Sequence, residues 1–341
     1  MRKLTAVASL SLISLMAVAQ NPPLIRVPVR IVEVPVAVTT RNGTPVKDLT
    51  AGDFLVFDNG QARKVRLEFT EQPVSVVVAV QTNDAVRNWL PEVRRMKDAV
   101  EALIAGAGGQ AAVIGFNDTV TLLQPLTNDT QLLDRAFNSL TASGEKSKTL
   151  DAVMMALRQL SPLPGARRRV ILLISQAGDS GSTSRLDDAL MKMEPGNTIL
   201  YSLVMPRIGK DLPRDTLSAS DMKGVNHADA AHPNDTGVMA SVDLTKLVPE
   251  ILRGGRSVIR QDAVSILTGA SGGRHIAFRS LHDLENGMAT IGTELHTEYV
   301  LSYTQSGDQP GYHTLRVEVA RPKVRVRARP GYFSVARENE R

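Results

Sequence analysis

The spacing of apolar residues divides the chain into three blocks. Between residues 25 and 70, apolar residues alternate with polar ones, and the same period of two returns after residue 296. This alternation is the pattern of half-buried β-strands. Between residues 73 and 296, short unbroken apolar runs alternate with segments whose apolar residues recur every three or four positions. Strands that alternate with helices in this way are typical of an α/β fold built on a parallel sheet.

The middle block shows both patterns clearly enough to predict its elements. Residues 74–80 are almost wholly apolar, as expected of a strand that is covered on both faces. We predict further strands at residues 111–116, 120–123, 169–175, 198–205 and 275–278. We predict helices at residues 90–103, 150–160, 184–193, 244–252, 257–267 and 281–295, and another that begins after Asn128 and Asp129.

Two Asn-Gly turns lie in the first block. Asn42-Gly43 follows the alternating segment, and Asp58-Asn59-Gly60 separates the apolar residues 54–57 from those at 65–69. Because Asn-Gly is a strong hairpin signal, the two turns predict a small antiparallel sheet. Pro28 and Pro35 lack the N–H that an inner strand donates, so we expect the first strand at a sheet edge.

Together these patterns predict an α/β fold class. We expect a doubly wound, mostly parallel sheet of Rossmann-like type, with flanking antiparallel β segments that form a small β domain. The expected boundaries are residues 25–70 for the N-terminal β segment, 73–296 for the α/β domain and 297–336 for the C-terminal β segment. The simplest arrangement packs the two β segments together. Residues 206–241 are polar and aperiodic, so we interpret them as a surface insertion.

The first nineteen residues have the composition of a secretory signal. Arg2 and Lys3 precede a short apolar run, and Ala17-Val18-Ala19 matches a cleavage site of small residues. The run contains three serines and is shorter than the roughly 20 apolar residues that span a bilayer. We therefore expect residues 1–19 to be a signal peptide, and the chain to be periplasmic or extracellular without a membrane span.

Composition narrows the classes of site. Cysteine is absent, which excludes disulfides, thiolate metal sites and a catalytic thiol. The net charge of +5 is too small to indicate a nucleic-acid partner. Basic and apolar residues alternate at 321–329, and we interpret this segment as a half-buried strand with a solvated basic outer face. A surface that binds anions is the alternative.

Several segments resemble one known family. They are the order of the elements, the strand sequence at residues 111–116, the run at 168–181, the hairpins between 36 and 60, and the ending Arg329-Pro330-Gly331-Tyr332-Phe333. In these features the chain resembles the von Willebrand type A proteins that bacteria secrete. The resemblance covers nearly the whole chain after the signal, and it implies an adhesion or assembly role.

The family usually carries a metal-ion-dependent adhesion site, written Asp-x-Ser-x-Ser after the first strand, with an Asp after a later strand. The resemblance places Gln81 at the first Asp position and Gln176 at the later one. An amide lacks the negative charge that a carboxylate offers a divalent ion, and Lys146 and Lys148 lie nearby in sequence. We therefore expect no cofactor, with Mg²⁺ or Mn²⁺ as the alternative.

The hydroxyl positions of the same site are changed as well. Asn83 and Ala85 take the two Ser positions. Ser147 takes the position of the Thr from a second loop, although the spacing leaves Thr149 as an alternative. Asn83 and Ser147 thus keep polar oxygens, so the site looks neutralised while its shape is retained.

Two acidic residues remain close to the altered positions. Asp84 and Asp179 could contribute to a rearranged metal site, but each is more simply a loop or helix-start aspartate. In open parallel sheets ligands bind at the carboxyl ends of the strands, where these segments lie. The predicted binding surface consists of Gln81, Asn83, Asp84, Ala85, Ser147, Gln176 and Asp179.

Other candidate sites have simpler explanations. His227 and His232, with Asp229 and Asp235, could hold a transition metal, but their spacing in a polar segment better fits a solvated loop. The glycine-rich residues 269–273 lack the Lys-Ser/Thr ending of a phosphate-binding loop. We interpret the remaining histidines as structural.

The serines at the predicted strand ends do not indicate an enzyme. No Gly-x-Ser-x-Gly elbow surrounds Ser175 or Ser180, and neither has a histidine close in sequence. We therefore predict no catalytic residues. The preferred hypothesis is an exported, metal-independent protein-interaction module whose partner is an unidentified envelope or extracellular protein. The alternatives are a metal-dependent adhesin or receptor with a rearranged site, and a hydrolase on the same framework.

Overall fold

The computed structural model describes seven stretches of the chain. They are residues 29–68, 72–163, 167–193, 197–205, 243–253, 263–306 and 310–334. The predicted signal peptide at 1–19 lies outside the described residues, as does the whole predicted insertion at 206–241 with its His227 and His232. None of the described helices is long and apolar enough to cross a membrane.

The described strands and helices follow one another in the order that the patterns predict. The strands are β1 (Val29–Thr40), β2 (Phe54–Asp58), β3 (Gln61–Arg63), β4 (Arg66–Glu68), β5 (Val74–Gln81), β6 (Gln110–Phe116), β7 (Val120–Thr127), β8 (Arg168–Ser175), β9 (Ile199–Val204), β10 (His275–Ala277), β11 (Tyr299–Ser306), β12 (Gly311–Val319), β13 (Val324–Ala328) and β14 (Gly331–Ser334). The helices are α1 (Leu90–Arg94), α2 (Lys97–Leu103), α3 (Thr130–Asn138), α4 (Thr149–Leu160), α5 (Leu186–Met193), α6 (Leu244–Leu252), α7 (Ala263–Ala270) and α8 (Leu281–Thr297).

A six-stranded sheet forms the centre of the α/β block. Its strand order is β10-β9-β8-β5-β6-β7, and every neighbouring pair is parallel except β6 and β7. Helices α1, α2, α3 and α8 pack on one face, and α4, α5, α6 and α7 on the other. All eight residues of β5 are buried, because both of its faces are covered. The fold is therefore doubly wound and mostly parallel, as the patterns predict.

The segment expected to form one helix at residues 90–103 is divided. A 3-10 helix at Asp84–Trp89 leads into α1, and α2 follows after a break. Leu90, Val93 and Met96 are three residues apart, which matches a tightened turn better than an α-helix. At the break, Met96 N donates to Val93 O at 3.0 Å, an i to i−3 bond. The spacing of these three apolar residues therefore indicates the break in the helix.

The flanking β segments form two four-stranded sheets. One has the order β13-β1-β11-β4 and the other β14-β12-β2-β3, so each combines strands from before and after the α/β block. Their facing sides share one apolar core, which includes Val34, Val56, Leu301 and Leu315. Residues that are distant in sequence thus make a small β-sandwich around that core.

The expectation of an edge position for the first strand is wrong. β1 lies between β11 and β13. Pro35 pairs with Val300 of β11, whereas pairing with β13 begins only at Val36. On the β13 side, therefore, the proline costs the ladder no hydrogen bond, which explains why an inner strand tolerates it.

The two Asn-Gly turns have different outcomes. Asn59 and Gly60 both have positive φ and join β2 to β3 as a tight hairpin. At Asn42-Gly43 the chain also turns, but only a single bridge between Thr39 and Pro45 follows. The partner of that end of β1 is β13, more than 280 positions further along the chain. A local turn signal could not reveal this long-range pairing.

The basic face expected at residues 321–329 is solvated only in part, because Lys323 is exposed whereas Arg329 is buried. Arg325 and Arg327 are only partly exposed. Arg327 forms an ion pair with Glu294 of α8, and Arg329 donates to the carbonyl of Glu33 at 2.7 Å. Arg327 therefore belongs to the contact between the sandwich and the α/β block, whereas the bond of Arg329 lies within the sandwich.

A buried carboxylate organises the sandwich core. Asp58 is fully buried, and its Oδ2 accepts from the hydroxyls of Tyr303 at 3.1 Å and Tyr332 at 3.0 Å. His313 Nδ1 lies 3.0 Å from Asp58 Oδ1. Burial raises the pKa of Tyr303, so its hydroxyl remains a donor at all ordinary pH values. Four strands are joined at this point by hydrogen bonds that the sequence patterns did not reveal.

Candidate functional site

Three loops meet at the carboxyl end of the six-stranded sheet. They are residues 82–84 after β5, residues 142–148 before α4, and residues 176–182 after β8. The backbone joins the first two, since Asp84 N donates to Gly144 O and Ser143 N to Thr82 O, both at 2.9 Å. Ser147 and Ser180 exchange backbone hydrogen bonds between the second and third loops. The loops therefore form one continuous surface.

Gln81 joins two of the loops through both ends of its amide. Its Oε1 accepts from the backbone N–H of Gln176 at 2.8 Å, and its Nε2 donates to Asn83 Oδ1 at 2.8 Å. Because a backbone N–H can only donate, this contact fixes which amide atom is the oxygen. The side chain is only 1% exposed. Gln81 thus supports the surface from beneath.

Asn83 extends the same network to the second loop. Its Nδ2 donates to the carbonyl of Glu145 at 3.0 Å, and the residue is 4% exposed. With Gln81 and Gln176, it forms a chain of neutral hydrogen bonds from β8 to the loop before α4. The structure thus brings these three predicted residues together.

The hydroxyls of Ser147 and Thr149 are neighbours with different surroundings. Their oxygens lie 3.0 Å apart. Thr149 is fully buried, and its hydroxyl donates to the carbonyl of Gly178 at 3.0 Å. Ser147 is half-buried on the loop itself. Of the two alternatives, Ser147 is the one whose side chain reaches the surface.

Asp179 caps the helix that begins beneath the surface. Its Oδ1 accepts from the backbone N–H of Leu150 at 3.0 Å and from the hydroxyl of Ser182. Ser182 in turn accepts from the N–H of Asp151 at 3.1 Å. A carboxylate at this position satisfies the first N–H groups of α4 and complements the helix dipole. Asp179 therefore has a structural role that its sequence position allowed.

Asp84 and Ala85 lie at the outer margin of the three loops. Both are exposed at the start of the 3-10 helix. Asp84 forms an ion pair with Arg87, one turn further along. The side chain of Asp84 thus binds a residue outside the three loops. The seven predicted residues therefore divide into a buried support and an exposed margin.

Asn117 and Asp118 hold the second loop, and the sequence patterns did not single them out. Asp118 accepts from the backbone N–H of Lys146 at 2.8 Å, and Asn117 donates to Ser143 O at 2.8 Å. Gly144 has φ +80°, and a Cβ there would come within 2.2 Å of Asp118 Oδ2. The sequence signal that could have identified them is their position directly after β6, because β6 also ends at this edge of the sheet.

Comparison with protein families gives one match within this block. Residues 81–179 match the von Willebrand factor type A domain. The matched segment begins at Gln81 and ends at Asp179, and it includes the first two loops and residues 176–179 of the third. The α/β block therefore contains a segment similar to a von Willebrand factor type A domain. We refer to residues 73–297 as the A domain.

Three solved structures are similar to the chain at low sequence identity. BatB from Bacteroides thetaiotaomicron is 14% identical over 65% of this chain and 99% of its own, with a TM-score of 0.40. Proximal thread matrix protein 1 from the mussel byssus is 9% identical over 71% and 50%, with a TM-score of 0.44. The vWF domain of the type V pili tip protein Mfa5 from Porphyromonas gingivalis is 18% identical over 36% and 49%, with a TM-score of 0.29. No curated protein matches the chain.

The oxygen atoms at the strand ends of the A domain do not fit the coordination of a divalent metal ion. Mg²⁺ requires several oxygen ligands in near-octahedral geometry, usually with one or two carboxylates. Here Gln81 Oε1 and Asn83 Oδ1 already accept hydrogen bonds from within the network, and Asp179 Oδ1 accepts two. A cation at this position would compete with those bonds, and the two amide oxygens would contribute no negative charge. Among the described residues, no three His, Asp or Glu side chains cluster as metal ligands.

The serines and histidines of the A domain make one described Ser–His contact. Ser202 Oγ lies 2.8 Å from His275 Nδ1, between β9 and β10. Ser202 is fully buried and also accepts from the hydroxyl of Thr268 at 3.1 Å. A nucleophile must reach its substrate, and this hydroxyl lies beneath α7. The pair therefore has the surroundings of a structural contact.

Proposed function

We propose that this chain is a protein-interaction module whose A domain binds its partner through the strand-end loops without a bridging metal ion. Von Willebrand factor type A domains generally mediate protein–protein interactions. The observation that carries the proposal is the closed amide network of Gln81, Asn83 and Gln176. It joins the three loops through neutral groups, so these bonds form without a cation.

The partner contacts in this proposal come from the exposed part of the surface. Gln81 and Asn83 are buried, whereas Asp84, Ala85 and Ser180 are exposed and Ser147 is half-exposed. Exposed charges of both signs lie side by side here, on Asp84, Arg87 and Lys146. Such a surface favours a polar partner surface whose charges are also mixed.

We also propose that the chain is exported and is not an enzyme. Export is supported by the basic start, apolar run and small-residue site within residues 1–19. The absence of catalysis is supported by the burial of Ser202 in the described Ser–His contact. Edman sequencing of secreted material from the native host, with a start at Gln20 expected, tests the first part. An intact Met1 in that material would contradict it.

The interaction proposal can be tested by capturing partners from the envelope of the native host, in Mg²⁺ and in excess chelator. We expect the same protein to be retained in both conditions. Ala85→Arg places a long cation on the exposed margin and should abolish its retention. Ala62→Arg is the matched control, because Ala62 is also an exposed alanine but lies on β3 of the sandwich. Equal retention by Ala85→Arg and wild type would locate binding elsewhere.

A metal titration separates this proposal from a metal-dependent adhesin with a rearranged site. We expect Mn²⁺ and Mg²⁺ up to about 1 mM to leave the Tm of the wild type unchanged. The double variant Gln81→Asp, Gln176→Asp restores two carboxylates and should gain a metal-dependent increase in Tm. A saturable micromolar response in the wild type would instead support the metal-dependent alternative.

A further inference from the structure

A cleft of about 480 Å³ lies where the A domain meets the sandwich. One wall is α8, the other is the end of β1 with the turn that follows it, and Arg274 and Glu294 lie within it. Arg274 directly precedes β10, so the cleft lies at the amino end of the parallel sheet, opposite the strand-end loops. A volume of this order is typical of sites for small ligands.

The basic face of β13 adjoins this cleft. Val324, Val326 and Ala328 face the sandwich core, so the alternate residues Arg325 and Arg327 share the opposite face with Thr39 and Ala37 of β1. Arg325 pairs directly with Thr39, and Thr39 lines the cleft. Paired residues on one face have Cβ atoms about 5 Å apart, a distance that an arginine side chain easily spans.

Arg325 differs from the other two arginines near the cleft. Arg274 and Arg327 both form ion pairs with Glu294. No ion pair joins Arg325 to a described acidic residue, and its Nη1 is buried without a hydrogen-bond partner in the described part of the chain. A buried guanidinium donor that lacks an acceptor is unfavourable, and a bound anion would supply one.

The remaining polar groups of the cleft indicate the charge of that anion. Arg274 and Glu294 are the charged residues that line the cleft, and the adjoining Arg325 and Arg327 of β13 make the balance positive. Thr39 and Thr293 also line the cleft. Their hydroxyls are further candidate donors, since neither donates in a described hydrogen bond. Glu294 would repel a doubly charged phosphate more strongly than a singly charged carboxylate. A planar carboxylate also matches the fork of a guanidinium group.

We propose that this cleft is a second binding site, for a carboxylate-bearing ligand held by Arg325 and the neighbouring threonine hydroxyls. The site is independent of the strand-end surface, from which the parallel sheet separates it. The carboxylate can belong to an acidic side chain of a polypeptide or to a small organic acid. Both sources share the chemistry that Arg325 recognises.

Calorimetric titration of the whole chain tests this proposal with two probes, tetraglutamate and glutarate. We expect saturable binding of at least one of them, and none of tetraglutamine. Arg325→Gln should weaken binding by about tenfold or more, as expected for loss of a charge-assisted hydrogen-bond pair. Ala289→Phe should abolish it by filling the cleft, without a change in charge. Ala289 is exposed on α8, so this second variant is expected to fold.

The matched control is Arg66→Gln. Arg66 is exposed on β4, at the opposite edge of the same sheet, and loses the same charge. We expect it to change the affinity by less than about twofold. Tighter binding of tetraglutamate than of glutarate would identify an acidic polypeptide as the source of the carboxylate. Tighter binding of glutarate would identify a small organic acid. Equal weakening by Arg66→Gln and Arg325→Gln, or no saturable binding of either probe to the wild type, would overturn the proposal.

Discussion

The two ends of the parallel sheet hold buried polar groups of different kinds. At the carboxyl end, Gln81 and Asn83 form a neutral network with the backbone of Gln176. At the amino end, Glu294 and Glu298 are buried among arginines. Neutral amides need no counter-charge, whereas a buried carboxylate must be paired or protonated. The bonds of Gln81 and Asn83 at the carboxyl end therefore need no charge, while the bonds of Glu294 and Glu298 at the amino end depend on it.

The charged end also joins two structural units. Glu294 of α8 accepts from Tyr201 at 2.7 Å and pairs with Arg274 at 3.2 Å, both within the A domain. It pairs as well with Arg327 of β13, which belongs to the sandwich. Removing this carboxylate should consequently weaken the contact between the units, whereas a change in the amide network should act on the loops alone.

Glu294→Leu is expected to have the largest effect. It leaves the guanidinium groups of Arg274 and Arg327 buried without their carboxylate, a loss that costs about 3–5 kcal/mol. Urea denaturation should show a lower midpoint, and proteolysis should more readily separate the sandwich from the A domain. Glu285→Leu, at an exposed position of the same helix, is the control and should change stability little. Similar midpoints for the two variants would contradict the role given to Glu294.

Glu298→Gln should remove a dependence of stability on pH. Burial outweighs the attraction of Arg168, 3.3 Å away, and raises the pKa of Glu298 from 4.5 to about 7. Between these two values the folded protein binds more protons than the unfolded chain. The free energy of unfolding of the wild type should therefore fall as pH rises from 4.5 through 7 and then level off, by at most about 3 kcal/mol.

The variant isolates this contribution because Arg168 keeps other partners. Its guanidinium also donates to the backbone carbonyls of Leu295 and Glu298, and a glutamine at 298 leaves these bonds in place. We expect Glu298→Gln to be more stable than the wild type at pH 8 and about equally stable at pH 4. Denaturation curves that run in parallel for the two proteins across this range would show that another group titrates.

The two ends also differ in how far the sequence could predict them. Periodicity predicts the strands of the A domain, because each strand is buried by helices close to it in sequence. Motif position correctly brought Gln81, Asn83 and Gln176 together, since the ends of neighbouring parallel strands must adjoin. The burial of the first two was not predictable from the motif, because the motif does not show the bond from Asn83 to Glu145 in the loop before α4.

The charged end escaped prediction for a different reason. Arg327 and Glu294 lie in separate blocks, and β13 reaches β1 only through a pairing across most of the chain. From alternation alone, a basic strand face that packs on a helix looks the same as one that faces water. The edge position predicted from Pro35 was wrong for a similar reason, because the sequence does not show where the pairing of β1 with β13 begins. Long-range contacts decided both features.

Gln81→Leu tests the neutral end and should have the smallest effect of the three. Leucine keeps the volume but leaves the N–H of Gln176 and the amide of Asn83 without their partner, which costs about 1–3 kcal/mol. Because no charge is involved, we expect this loss to be the same at pH 5 and pH 8 and insensitive to salt.

Asn117→Leu, which breaks a bond of the neighbouring loop, is a useful comparison because Asn117 is only half-buried and its loss should cost less stability. Hydrogen exchange should accelerate at the loops after β5 and β8, whereas α8 should stay protected. If the loss varied with pH or extended to α8, the two ends of the sheet would be coupled, and the separation between a neutral and a charged end would fail.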